Sequence, residues 1–225
     1  MFALDDIAQA RALLVAANER MKALEEGKHP WTTASGLVVR GFVSRIDGGV
    51  QPYGLVVPRG YDPDRDRPYR LDVWLHGRFE NTTELRFIDQ RMRNAGEFAP
   101  RGAFVLHPFG RFSNAFKLAG EVDVLEALEH AQRNYRIDED RLVMRGFSMG
   151  GAGCWQMAAH YPGKRCAAAP GAGFSETPLF LRDFQKEKLS PAWYEKTLWQ
   201  LYDVPGYAGN FPDRHGFWGE DIRRR

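Results

Sequence analysis

The residues best placed to do chemistry are Gly146-Phe147-Ser148-Met149-Gly150, a G-x-S-x-G pentapeptide followed at once by Gly151. An apolar, strand-like run, Leu142–Arg145, precedes it and a helical pattern, Gly151–Tyr161, follows. A serine becomes a nucleophile when its hydroxyl stands free in a cleft beside a base. A sharp strand-to-helix bend supplies that exposure. The same bend forces the serine into an unfavourable backbone conformation and brings strand and helix so close that side chains at 146 and 150 would collide. Glycine at both positions removes the collision. The amides at the start of the helix then face the site and favour negative charge developing there. The pattern suits attack on an acyl carbonyl. The competing reading is an ordinary or phosphate-binding glycine-rich turn, yet neither dinucleotide spacing nor the lysine of a phosphate loop is present.

An acyl-transfer site also needs two backbone N–H donors for the oxyanion of its tetrahedral intermediate. Met149, directly after the serine, is expected to give one. The second is expected from Gly77 or Arg78 in the segment His76-Gly77-Arg78, which ends the third predicted strand. A plain turn would also explain that segment. His76, His107 at the end of the fourth predicted strand, and Arg111 just beyond it are candidate substrate-binding residues, Arg111 for a carboxylate. A solvated loop accounts for 107–111 equally well. Cys154 and Cys166 read as buried, reduced thiols, because nothing near them has metal-ligand spacing. Neither a metal nor an organic cofactor is expected.

The elements that must position these residues alternate. Leu37–Ile46 and Tyr53–Pro58 read as two strands of a hairpin or meander. Then come strand Arg70–Leu75, helix Glu84–Asn94, strand Ala103–His107, helix Glu121–Tyr135, strand Leu142–Arg145, helix Gly151–Tyr161 and strand Cys166–Pro170. Repeated βα units predict an α/β fold, a mostly parallel sheet with helices on both faces, whose ligands bind beyond the carboxyl ends of the strands. Ahead of the sheet, Leu4–Glu26 reads as a helix. Ile7, Leu14 and Met21 recur every seven residues, with Ala10, Ala17 and Leu24 between them, and this stripe is expected to pack on its own domain rather than form a coiled coil. Pro178–Lys188 and Pro191–Tyr202 read as aromatic-rich helices that fit a cap over the cleft, although core packing would explain them too. The organisation expected is an N-terminal helix over 1–30, the α/β domain over 31–210 with cap helices at 178–202, and a polar tail over 211–225.

Composition limits the partners. The chain has 225 residues, short for two full domains, and 31 basic against 29 acidic residues leave a net charge of +2. That balance argues against a nucleic-acid binder. With 44% hydrophobic residues the chain is far from the composition of disorder, and its two cysteines make no disulfide framework. No apolar run approaches membrane-spanning length. Asp5 and Asp6 stand where a signal peptide wants positive charge, so the chain is expected to stay in the cytoplasm by default or to start further upstream. The expected partner is a small-molecule or peptide acyl substrate, with no nucleic acid and no membrane; the sequence leaves the oligomeric state open.

The strand ending in His76-Gly77, the bend Gly146-Phe147-Ser148-Met149-Gly150-Gly151 and the helix after it resemble the α/β-hydrolase superfamily, and within it the prolyl-oligopeptidase-like serine hydrolases and related esterases. The resemblance spans roughly Arg40 to Tyr202. It implies acyl-bond hydrolysis through a Ser-His-Asp triad, with Ser148 matching the nucleophile and Met149 an oxyanion donor. His76-Gly77 departs from the HGGG pattern of some esterases. The end departs further, because the superfamily places its Asp after a seventh strand and its His after an eighth. Only 77 residues follow Ser148 here, without a β-rich run, so the last strands are expected to be missing. His160 lies in a helical pattern, His215 in the polar tail, and Asp203 and Asp213 lack strand context. A chain cut short, or one whose reading frame changes near Asn210, would end this way. The alternative is a hydrolase-derived chain without catalysis that serves as a binding module or is a defective product.

Overall fold

The computed structural model describes residues 4–78 and 83–211. Its centre is one six-stranded sheet in the order β1-β2-β4-β3-β5-β6. The strands are β1 (Gly36–Val43), β2 (Val50–Val57), β3 (Tyr69–Leu75), β4 (Ala103–Pro108), β5 (Ile137–Phe147) and β6 (Ala167–Gly171). The hairpin β1–β2 runs antiparallel in register from Gly36 opposite Val57 to Val43 opposite Val50. β2 is antiparallel to β4, and from there the sheet is parallel through β3, β5 and β6. Parallel strands need crossovers, and helices α2 (Glu84–Arg93), α3 (Ala119–Asn134) and α4 (Met149–His160) supply them.

The helices cover both faces. On one, Leu71, Val73 and Leu75 of β3 and Phe104 and Leu106 of β4 are fully buried in the core with Phe116 and the inner sides of α3 and α4. Each such side chain contributes roughly 1.5–3 kcal/mol by leaving water. On the other, the stem of Arg91 on α2 lies directly against Gly54 of β2, where a Cβ would stand 2.8 Å from Arg91 Cγ. Asp72 of β3 is also fully buried on that face, held by Arg70 Nε at 2.8 Å and Arg145 Nε at 2.6 Å. A carboxylate taken out of water needs such partners. Thr83 starts α2 by accepting the Arg86 amide on its hydroxyl at 3.2 Å.

Three expectations need correcting. α1 (Leu4–Glu25) forms, but its heptad stripe faces away from the domain: Ile7, Leu14, Met21 and Leu24 are exposed, Leu14 by 62%. The helix is tethered by polar contacts, Asp6 to Arg86 Nε at 2.7 Å and Arg20 Nη1 to the Val39 carbonyl at 2.9 Å, and these turn Leu13, Ala16 and Ala23 inward instead. An alanine-rich helix has more than one face apolar enough to pack, so periodicity alone does not choose between them. The aromatic helices are shorter than read. Thr177–Leu179 (α5) is a single turn that runs on into a π-helical turn at Phe180–Phe184, Trp193–Gln200 forms α6, and Val204–Asn210 is 3-10 helix. Cys154 is buried as expected, but Cys166, just before the edge strand β6, is exposed.

Candidate active site

Ser148 sits between β5 and α4 with φ 55° and ψ −117°, a conformation that side chains other than glycine rarely take, and it is exposed. Its neighbours show why the bend needs glycine. A Cβ on Gly146 would run into the Gly150 carbonyl, one on Gly150 into the Leu75 carbonyl, and one on Gly151 into the Gly171 carbonyl. Strands β3, β5 and β6 are thus drawn onto the first turn of α4. The Ser148 amide donates to the Gly171 carbonyl at 2.9 Å and fixes the bend from the β6 side. Met149 opens α4, so its N–H is among the helix-start amides that have no intrahelical acceptor.

Gly77 reaches the same place. A Cβ built on it would stand 3.9 Å from the Ser148 Cβ and 3.7 Å from the Phe147 carbonyl oxygen. Sequence-predicted Ser148, Met149 and Gly77 are therefore brought together, with Arg78 the next residue along an exposed loop. His76 stands beside them with its ring spanning two backbone segments. Nδ1 lies 2.8 Å from the Gly77 carbonyl oxygen and Nε2 3.0 Å from that of Phe109, while the ring edge meets Phe116 at 5.0 Å. Its geometry fits holding the 76–78 loop onto the end of β4.

The other two candidates lie elsewhere. His107 is buried beneath the sheet against Arg91, whose Nη1 is 3.2 Å from His107 Nδ1. Burial first, then the Arg91 charge, pushes the imidazole down to about 3. A strand alternates its side chains, and His107, next to last in β4, points to the face that carries Arg91. Arg111 is also committed. Its guanidinium bonds Asp123 at 2.9 Å, Asp47 at 2.6 Å and the Ser44 hydroxyl at 2.9 Å, tying the β4 loop to the β1–β2 turn and α3. The carboxylate it meets is the protein's own.

Among the described residues no imidazole hydrogen-bonds the Ser148 hydroxyl. His160 Nδ1 lies 2.6 Å from Glu121, His130 Nδ1 lies 2.9 Å from the Tyr53 hydroxyl, and Asp203 accepts from the amide and hydroxyl of Thr177. Asp213 and His215 lie outside the described residues. Among the described residues, no three His, Cys, Asp or Glu side chains converge as a metal-holding group.

Sequence reasoning missed the loop after β4. Arg111, Phe112, Ala115, Phe116 and Leu118 all have positive φ, from 54° to 77°, and Phe116 fills the space over Gly153 of α4. No glycine marks these positions, so the sequence carries no signal for the strain.

No family model matches the sequence, and neither does any curated protein sequence. Solved structures do. FphF, a fluorophosphonate-binding serine hydrolase of Staphylococcus aureus, superposes with a TM-score of 0.52 at 18% identity, over 80% of this chain and 68% of its own. A putative dipeptidyl aminopeptidase IV from Bacteroides ovatus gives 0.60 at 12% identity, over 82% of this chain. The acylaminoacyl peptidase of Pyrococcus horikoshii gives 0.52 at 15% identity, over 80% of this chain. The chain has the α/β-hydrolase fold. It spans 28% of the length of the Bacteroides protein and 31% of that of the Pyrococcus one. Within an α/β-hydrolase fold the order β4-β3-β5-β6 puts the carboxyl ends of β3 and β5, with His76-Gly77 and Ser148, side by side at one rim.

Proposed function

We propose that this chain carries the nucleophile and oxyanion site of a serine hydrolase acting on an ester or peptide carbonyl, in the manner of the prolyl-oligopeptidase-like peptidases and esterases. The observation that carries the reading is the strained, exposed Ser148 at the start of α4, with Gly77 against it. In the reaction an imidazole takes the Ser148 proton as Oγ attacks the carbonyl carbon, and the carbonyl oxygen becomes an oxyanion. The N–H groups of Met149 and of Gly77 or Arg78 hold that oxyanion, each such donor supplying roughly 3–4 kcal/mol. The intermediate collapses, the C–O or C–N bond breaks, and the leaving group departs with the imidazole's proton. Water, deprotonated by the same base, then releases the acid and regenerates Ser148. Among the described residues no imidazole bonds the Ser148 hydroxyl, and His215 lies beyond them on the C-terminal side.

One observation favours a second reading. The imidazoles of His76, His107, His130 and His160 all have partners other than Ser148, which suits a hydrolase-derived chain that binds an acyl compound without turning it over. A fluorophosphonate probe separates the two. Labelling of the wild type and not of Ser148→Ala supports the hydrolase, and an unlabelled folded wild type supports the binding module.

A further inference from the structure

Lys117 is a half-buried cation that, like Arg91 beside His107, forms no ion pair with a carboxylate. Arg70 and Arg145 share Asp72, Arg86 has Asp6, Arg111 has Asp47 and Asp123, and Arg165 bonds the carbonyls of Tyr161 and Pro162. Lys117 Nζ instead lies between two aromatic faces, 5.8 Å from the Phe174 ring centre and 5.4 Å from that of Tyr202. Among the described residues no carboxylate is within salt-bridge distance of it. Asp203, whose charge acts on it, already accepts from the Thr177 amide at 2.9 Å and hydroxyl at 2.7 Å. Burial lowers the ammonium below its ordinary range, the sign of a charge that has lost water without gaining a counter-ion.

Its position is at the rim that carries Ser148. Lys117 belongs to the strained loop after the carboxyl end of β4, and its neighbour Phe116 packs against Gly153 of α4. Phe174 follows the carboxyl end of β6, immediately after Gly173, which abuts Gly151 and Ala152 of the same helix. Tyr202 is fixed by accepting the Leu118 amide at 2.7 Å. The geometry points to Lys117, Phe174 and Tyr202 as a subsite for a carboxylate carried on an apolar or aromatic acyl substrate, the anion meeting the ammonium and the apolar part lying on the rings. The word substrate rests on the hydrolase reading; the binding does not.

Binding of phenylacetate and of its uncharged analogue phenylacetamide, followed by amide chemical shifts of the isotope-labelled protein, tests the subsite without needing turnover. The acid is expected to bind about tenfold tighter than the amide, with shifts centred on residues 117, 174 and 202. Lys117→Met should abolish that preference, and Lys117→Arg should keep most of it. Equal binding of the two compounds by the wild type, or shifts centred elsewhere, overturns the subsite, as does a folded Lys117→Met that still prefers the acid. Fluorophosphonate labelling of the same preparation keeps the claims apart. Labelled Ser148 without carboxylate preference removes the subsite alone, and carboxylate preference without labelling removes the hydrolase alone.

Discussion

Leu118 and Ser148 enter their helices with the same backbone: φ 54° and ψ −119° before α3, φ 55° and ψ −117° before α4. Ser148 directly follows β5, whereas Leu118 closes the loop between β4 and α3, so the same strained backbone opens two helices. At Ser148 the strain lifts a hydroxyl out of the sheet. At Leu118 it presents an amide to the Tyr202 hydroxyl and leaves the side chain 68% exposed.

Strain of this kind costs about 1–3 kcal/mol for a residue with a Cβ. Leu118→Gly removes it while giving up little buried surface, and glycine's extra freedom in the unfolded chain takes back part of the gain. Denaturant unfolding is expected to show a variant about 1 kcal/mol more stable than the wild type. A destabilised Leu118→Gly would mean that the bend is not strained.

The glycines around Ser148 divide by what surrounds them. Gly150→Ala must push against the Leu75 carbonyl and is expected to cost about 3 kcal/mol or more. Gly77→Ala meets nothing closer than 3.7 Å and should stay within about 0.5 kcal/mol of the wild type. Chevron or equilibrium melts of the two variants side by side would show the contrast.

His107 gives the domain an acid sensitivity of stated sign. Burial holds its imidazole at about 3, well below the ordinary value of 6.5, so below pH 6.5 the unfolded chain takes a proton that the folded one refuses. Its contribution is fully present above pH 6.5 and is lost as the pH falls toward 3, by at most about 1.4 kcal/mol per pH unit. His107→Gln should flatten the curve of stability against pH between 6.5 and 4. An unchanged slope would mean that His107 is accessible to protons in the folded state.

The two thiols should differ in reactivity. Cys154 is buried, its thiol pushed up to about 12 by desolvation, whereas Cys166 is exposed. Iodoacetamide under native conditions is expected to modify Cys166 and to reach Cys154 only on unfolding, which intact mass and peptide mapping would reveal.

The bend at Ser148 was legible because its constraint is local. Gly146, Ser148 and Gly150 are separated by single residues, and the collision that demands glycine is between strand and helix of one turn. The βα alternation likewise showed the parallel sheet, since from β3 onward short apolar runs alternate with helical patterns. What escaped depends on partners far along the chain. Arg111 reads as free for a substrate until Asp47 and Asp123 are folded onto it. His107 reads as a cleft residue until the strand's alternation turns it under the sheet toward Arg91. The outward face of α1 was hidden for the same reason: Asp6 and Arg20 choose the helix's rotation through Arg86 and the Val39 carbonyl, and an alanine-rich sequence does not oppose that choice. Lys117 had no motif at all, because its neighbours Phe174 and Tyr202 come from loops well beyond it.

The most direct measurement is the rate at which a fluorophosphonate modifies the folded chain, with peptide mapping of the adduct. An activated serine on this bend predicts a single adduct on Ser148, absent from Ser148→Ala and from heat-unfolded protein. A wild type that keeps its sheet by circular dichroism yet takes up no probe, or takes it up on another residue, contradicts it.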